Sequence, residues 1–151
     1  MSEKVALVTG AATGIGAAVC RELAIPGVRV AVCDINKVEG EALAKKIGGE
    51  FIDCNVTNLV SVQSAVNICT QRMGIPDYVH LNAGIMTVPT GEPFLAIEDV
   101  TEAQYQKIVG VNLNGVYHGM KTVLPLMRDK GGAVTITAST AGLSVVPVDP
   151  M

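Results

Sequence analysis

Five apolar segments recur at fairly even intervals along the chain, at residues 4–9, 28–34, 50–54, 77–82 and 133–139. Most are near-continuous runs carrying Val and Ile, as in Val28-Arg29-Val30-Ala31-Val32-Cys33, and not clean alternations of apolar and polar residues. A parallel strand covered on both faces reads this way, because neither face tolerates a polar side chain. Amphipathic stretches lie between the runs. Residues 14–25 form one, stopped by Pro26-Gly27, the expected breakers past a helix end. A second starts at Asn36 or Lys37 and runs to Ile47, followed by Gly48-Gly49. Residues 58–73 form a third, with Thr57 placed to cap it and Gly74 to end it. Thr101-Glu102-Ala103-Gln104 matches a capping box and opens a long helical region toward Arg128, with a break or bend expected at Gly110. The order β-α-β-α-β-α-β-α-β predicts an α/β domain with a parallel sheet and right-handed crossovers. Residues 85–100 are the one long connection, a length that goes with a site or with mobility.

Composition narrows the function. A chain of 151 residues accommodates one domain. Hydrophobic residues make up 49% and charged ones only 17%, which gives ample material for a core and excludes a disordered chain. Lys and Arg sum to 11 against 14 Asp and Glu, and a net charge of −3 argues against nucleic acid as the partner. Aromatics at 3% with no Trp leave no stacking surface for single-stranded bases. No apolar run approaches the ~20 residues of a membrane span, so no membrane role is expected, and the N-terminus has no signal-peptide core. Cys20, Cys33, Cys54 and Cys69 lack metal-ligand spacing, and three sit in apolar stretches. They read as buried free thiols in a reducing compartment, which makes the cytoplasm the expected address. His80 and His118 have no second ligand at metal spacing and are expected to be structural; no metal site is predicted.

The strongest chemical signal lies where the first strand meets the first helix, at Thr9-Gly10-Ala11-Ala12-Thr13-Gly14-Ile15-Gly16. Gly10 lets the chain turn off the strand, Gly14 lets the backbone approach a pyrophosphate, and Gly16 lets helix and strand pack closely. The free N–H groups and positive end of the helix then face an anion. An acidic residue, Asp34, ends the next strand close to the ~20-residue spacing at which a carboxylate takes the ribose hydroxyls of a dinucleotide. Its alternative role is a helix cap. A carboxylate there repels a 2′-phosphate and Thr13 supplies no compensating cation, so NAD is favoured over NADP, with Lys37 the one nearby positive charge.

The Gly-x-x-x-Gly-x-Gly spacing with Thr9 in front resembles the short-chain dehydrogenase/reductase family, and the resemblance runs over essentially the whole chain. Asn82-Ala83-Gly84 is similar to the family's Asn-Asn-Ala-Gly, with Leu81 in place of the first Asn. Cys54-Asn55-Val56 stands where the family has an Asp-Val pair beside the adenine, Asn55 replacing the Asp. Val111-Asn112-Leu113 looks like the helix segment with the catalytic Asn, and Thr137-Ala138-Ser139-Thr140-Ala141-Gly142 like the strand end with the catalytic Ser. The resemblance implies a Rossmann-type doubly wound parallel sheet in the order 3-2-1-4-5, residues 1–151 forming an NAD(P)-binding domain. It implies cofactor contacts at Gly10, Thr13, Gly14, Ile15, Gly16, Asp34, Ile35, Asn55, Val56, Asn82, Ala83, Gly84 and Val111. It further implies that Ser139 orients the substrate oxygen and Asn112 steadies a proton-relay water. A small alcohol or carbonyl substrate and a homo-oligomer paired through the Asn112-bearing helix follow from the same likeness.

The family's acid/base, a Tyr with a Lys four residues on, is expected after Ser139. No such pair follows within the chain; Tyr117-His118-Gly119-Met120-Lys121 matches the bare pattern but precedes Ser139 and shares the helix of Asn112. It is read as a decoy. The expectation is therefore the N-terminal, cofactor-binding part of an NAD-dependent alcohol dehydrogenase or ketoreductase, missing its later strands and inactive alone. The competing expectation is a non-catalytic dinucleotide-sensing module. A methyltransferase is disfavoured by the loop spacing and by Asn82-Ala83-Gly84.

Overall fold

The computed structural model describes residues 3–88 and 91–143. Five parallel strands, β1 (Lys4–Thr9), β2 (Val28–Asp34), β3 (Glu50–Asp53), β4 (Tyr78–Leu81) and β5 (Ala133–Ile136), form one sheet in the order β3-β2-β1-β4-β5. This is the expected doubly wound order. Helices α1 (Gly14–Leu23) and α2 (Lys37–Ile47) share one face, and α3 (Leu59–Arg72) and α5 (Gly115–Met127) pack on the other. A right-handed crossover puts its helix on the face set by the direction of travel across the sheet. Travel reverses when the chain returns from β3 to β4, so the helices change face there. The segments that leave neighbouring β1 and β4 at their carboxyl ends therefore turn to helices on opposite faces, which opens a crevice.

Period-2 geometry explains the continuous apolar runs. Val5 and Leu7 point into the core under α3 and α5, while Ala6 and Val8 point into the core under α1 and α2. All four cysteines are buried and unpaired, and burial pushes the Cys20 and Cys54 thiols up to about 12. Such thiols stay protonated and act as small apolar side chains.

Several boundaries differ from the sequence reading, each for a local reason. Helix α1 ends at Leu23, before residue 25, where Ile25 N–H turns back to the Leu23 carbonyl. Asn58, and not Thr57, caps α3 by accepting from Ser61 N–H, while Thr57 donates to Asn55 Oδ1. Strand β5 stops at Ile136; Thr137 N–H still reaches the Leu81 carbonyl, but Ser139 starts a 3₁₀ turn, Thr140–Gly142. The break expected at Gly110 is a π-helical segment, Val109–Asn114, joining α4 (Glu102–Ile108) to α5. The loop at 143–150, apart from Leu143, and Pro89 and Thr90 of the long connection lie outside the described residues.

Asp77 closes the sheet at the amino ends of its strands. Its buried carboxylate accepts from Val5 N–H and Lys4 Nζ, both at 2.9 Å, and lies 3.0 Å from Lys130 Nζ. Its own carbonyl accepts from Ala133 N–H, so one residue touches β1, β4 and β5. Burial alone raises the carboxyl, but the Val5 N–H and the two ammonium groups outweigh it and hold it at about 2. A carboxylate with a depressed native value adds stability that is complete above the unfolded value, near pH 4, and lost as pH falls through about 2. With Lys4 and Lys130 partly in solvent, that contribution is about 1–2 kcal/mol. Asp77→Asn should lower the stability measured by urea unfolding by about this amount at pH 7. The gap between variant and parent should narrow progressively between pH 4 and pH 2; a gap independent of pH would show that the charge is not what holds the strands.

Candidate functional site

The crevice is built on Gly10 and Gly14, whose φ values of +61° and +54° are left-handed and cheap only for glycine. The three loop glycines have different neighbours. A Cβ on Gly10 would stand 2.6 Å from the Ala83 Cα, so the turn off β1 lies against the end of β4. A Cβ on Gly16 would collide with the Gly10 carbonyl, so α1 starts in contact with the strand it follows. Gly14 differs: beyond its chain neighbours and the first turn of its own helix, a Cβ there would meet nothing within 4 Å. Its bareness faces open space at the start of α1. Thr13, extended and exposed, gives α1 no side-chain cap, and the first-turn N–H groups stay available to an anion. These features fit the pyrophosphate of a dinucleotide.

Two side chains pin the loop from opposite sides. Asp34, at the carboxyl end of β2, accepts from Ala12 N–H at 2.8 Å through Oδ2 and from Asn36 N–H at 2.9 Å through Oδ1. Asn82, at the end of β4, donates through Nδ2 to the carbonyls of Thr9 and Gly10. The Thr9 hydroxyl in turn accepts from the N–H groups of Asn82 and Ala83. Asp34 was expected to face a ribose and Asn82 to line the cleft; that both also hold the loop's backbone was not legible. The signal lies in the register, which sets Thr9 beside Leu81 and Cys33.

Asn112 stands in the π-helical segment, where its Oδ1 accepts from Ile85 N–H at 2.8 Å and its Nδ2 donates to the Ile85 carbonyl at 2.9 Å. Gly84 adjoins this amide pair, and Val111 beside it is half-buried against the larger core. Ser139 is exposed, its Oγ accepting from Ala141 N–H. Ile15 and Ile35 are 63% and 70% exposed, apolar surface on the loop and just past Asp34. Asn55 points its Oδ1 at both the Thr57 N–H and the Thr57 hydroxyl, so that oxygen is already engaged. The Val56 side chain is buried against Gly115, and its carbonyl pairs with His118 Nδ1. Tyr117 and Lys121 do meet, Nζ donating to the phenol oxygen at 3.1 Å, on an exposed part of α5. Among the described residues, no cluster of three or more His, Cys, Asp or Glu is placed to hold a metal. None of the described helices is long and apolar enough to cross a membrane.

Comparison with known proteins agrees with this geometry. The family model described as short chain dehydrogenase matches residues 4–151, and the chain belongs to that family. A short-chain dehydrogenase reductase of Arabidopsis thaliana, ATA1, is 38% identical over 93% of the chain and 51% of its own length. Trans-4-hydroxycyclohexanecarboxylate dehydrogenase of Sinomonas cyclohexanicum is 34% identical over 95% of the chain and 57% of its own length. The chain thus spans about half the length of these relatives. An alcohol dehydrogenase of the archaeon Thermococcus sibiricus, solved with 5-hydroxy-NADP, superposes with a TM-score of 0.88 at 28% identity, covering 98% of this chain and 63% of that one.

The unequal surroundings of the glycines give a direct test. Gly16→Ala should cost about 2–3 kcal/mol in denaturant unfolding, since the methyl group collides with the backbone at Gly10. Gly14→Ala should cost only about 1–2 kcal/mol of backbone strain. Equal costs would mean that Gly16 is not a packing contact.

Proposed function

We propose that the protein is an NAD-dependent oxidoreductase interconverting a secondary alcohol and a ketone by hydride transfer. The observation that carries this reading is the Asp34 carboxylate held by two N–H groups at the lip of the glycine loop. Each oxygen takes one N–H and retains acceptor capacity for ribose hydroxyls. Its charge opposes a 2′-phosphate. Thr13 and Ile35 carry no cation, and Lys37 leans toward Glu41 at 3.8 Å. A structural relative holds an NADP analogue, so the choice of cofactor turns on this carboxylate.

When bound, the nicotinamide supplies the hydride acceptor or donor. The first turn of α1, through Gly14, Ile15 and Gly16, takes the pyrophosphate, with Thr13 beside it. Ile15 and Ile35 shield the cofactor's apolar surfaces, and Asn55 and Val56 border the adenine. Asn82, Ala83, Gly84 and Val111 line the inner wall. Ser139 Oγ accepts from Ala141 N–H and keeps its own hydrogen for the substrate oxygen. Asn112 uses one lone pair and one hydrogen on Ile85, leaving one of each to hold a water. Neither group exchanges a proton near neutral pH, so the acid/base is a residue other than Ser139 and Asn112. The relative named for hydroxycyclohexanecarboxylate supports a small hydroxyl-bearing substrate. Leu113, Tyr117 and Leu124 expose one side of the helix at helical spacing, which suits pairing of two copies. Four unpaired thiols suit the cytoplasm.

Two substitutions test the reading in the whole protein. Asp34→Ala should shift the ratio of dissociation constants toward NADP by about tenfold, as expected for a lost charge-assisted hydrogen bond and a lost repulsion. A parent enzyme that already prefers NADP would overturn the assignment. Tyr117→Phe should leave turnover unchanged; a loss of about 10²-fold or more would make Tyr117 with Lys121 the acid/base pair.

A further inference from the structure

A chain of polar side chains crosses from β5 to the glycine loop, and the chemistry of its ends fixes every donor in it. Asn82 faces two carbonyls, Thr9 and Gly10, at 3.3 and 3.1 Å, so the atom facing them is the amide nitrogen. Its Oδ1 therefore faces the Thr137 hydroxyl, 2.8 Å away, which must donate. Thr137 Oγ1 then accepts from His80 Nε2–H at 3.3 Å. In the neutral ring that leaves His80 Nδ1 as the acceptor for the Thr135 hydroxyl, at 2.8 Å. The parallel register supplies the geometry by setting His80 opposite Thr135, with Asn82 and Thr137 one pleat further on the same face.

The Asn82 amide sits in a tight place. A Cβ on Gly16 would come within 2.7 Å of Nδ2, so the nitrogen fills the corner between the Gly10 turn and the start of α1. Asn χ2 is a broad torsion, and an amide held only at its nitrogen end swings about it. Thr137 holds the other end. We propose that Thr137, oriented by His80, is a positioning residue that locks the Asn82 amide against the Gly10 carbonyl and so sets the shape of the nucleotide loop from the strand that carries Ser139. The functional half of this inference rests on the nucleotide-binding reading above; the hydrogen-bond relay does not.

The test uses Thr137→Val, which removes the donor but keeps a β-branched strand former, and Thr137→Ser, which restores it. In ligand-free protein, the Asn82 side-chain amide protons, followed by NMR, should exchange slowly with solvent in the parent and in Thr137→Ser, and faster in Thr137→Val. Dissociation constants for NADH, read from its own fluorescence, should rise about three- to tenfold in Thr137→Val and return to within about twofold in Thr137→Ser, as expected for one net hydrogen bond. Urea midpoints should stay together, since Thr137 is exposed. Unchanged amide exchange in Thr137→Val, or failure of Thr137→Ser to restore it, overturns the relay. Unchanged NADH affinity with altered exchange overturns its role in nucleotide binding. If the parent itself does not bind NADH while the exchange difference persists, the nucleotide-binding reading falls and the relay stands as the device that shapes the loop.

Discussion

The structure depends on the parallel pairing of β1 with β4, two strands whose linked residues lie 72 to 74 positions apart in the chain. Closing a loop of that length costs entropy that no local contact repays. The pairing is secured at both ends by side chains bonded to backbone. At the amino end, the Asp77 carboxylate takes Val5 N–H; at the carboxyl end, the Thr9 hydroxyl takes the N–H groups of Asn82 and Ala83. The candidate site follows from this junction, because the crevice lies where the segments leaving the paired strands turn to opposite faces of the sheet.

Preorganisation is the consequence for binding. A glycine loop left to itself would spend ordering entropy on meeting a phosphate. Here Asp34 draws in the Ala12 N–H from the β2 side and Asn82 holds the Gly10 carbonyl from the β4 side. The glycines divide the work accordingly. Gly10 and Gly16 are bare because protein atoms crowd them, whereas Gly14 is bare toward open space. Only the last leaves room for something that the chain itself does not supply.

The other side of the crevice uses a different device. A π-helical segment interrupts the path from α4 to α5, and such segments recur at functional sites because they redirect side chains out of helical register. Asn112 lies within it and clasps both backbone polar groups of Ile85. The long connection is thereby tied, at its first residues, to the helix that packs beneath the sheet. Through Asn112 the π-helical segment and the residues just past β4 are held as one unit.

The sequence by itself determined the element order, the buried thiols and the place of the glycine loop between β1 and α1. Each is written in local pattern: continuous apolar runs for β1 and β2, Gly10, Gly14 and Gly16 at fixed spacing, a capping box at Thr101. The strand order 3-2-1-4-5 was implied only by the family resemblance and is fixed by the β1–β4 pairing. Tertiary structure decided what the polar residues do. Asn58 took the cap from Thr57 because Asn55 had engaged the Thr57 hydroxyl, a competition that propensity does not resolve. His80 was legible only as a structural histidine; its place beside Thr135 and Thr137 comes from the β4–β5 register. Asp34 and Asn82 could be read as cleft residues but not as the two pins of the loop, since their partners are backbone groups brought close only by the sheet. Apolar pattern is a property of one segment and survives in the sequence. Hydrogen-bond partnership belongs to pairs of segments, and only the folded chain brings the pairs together.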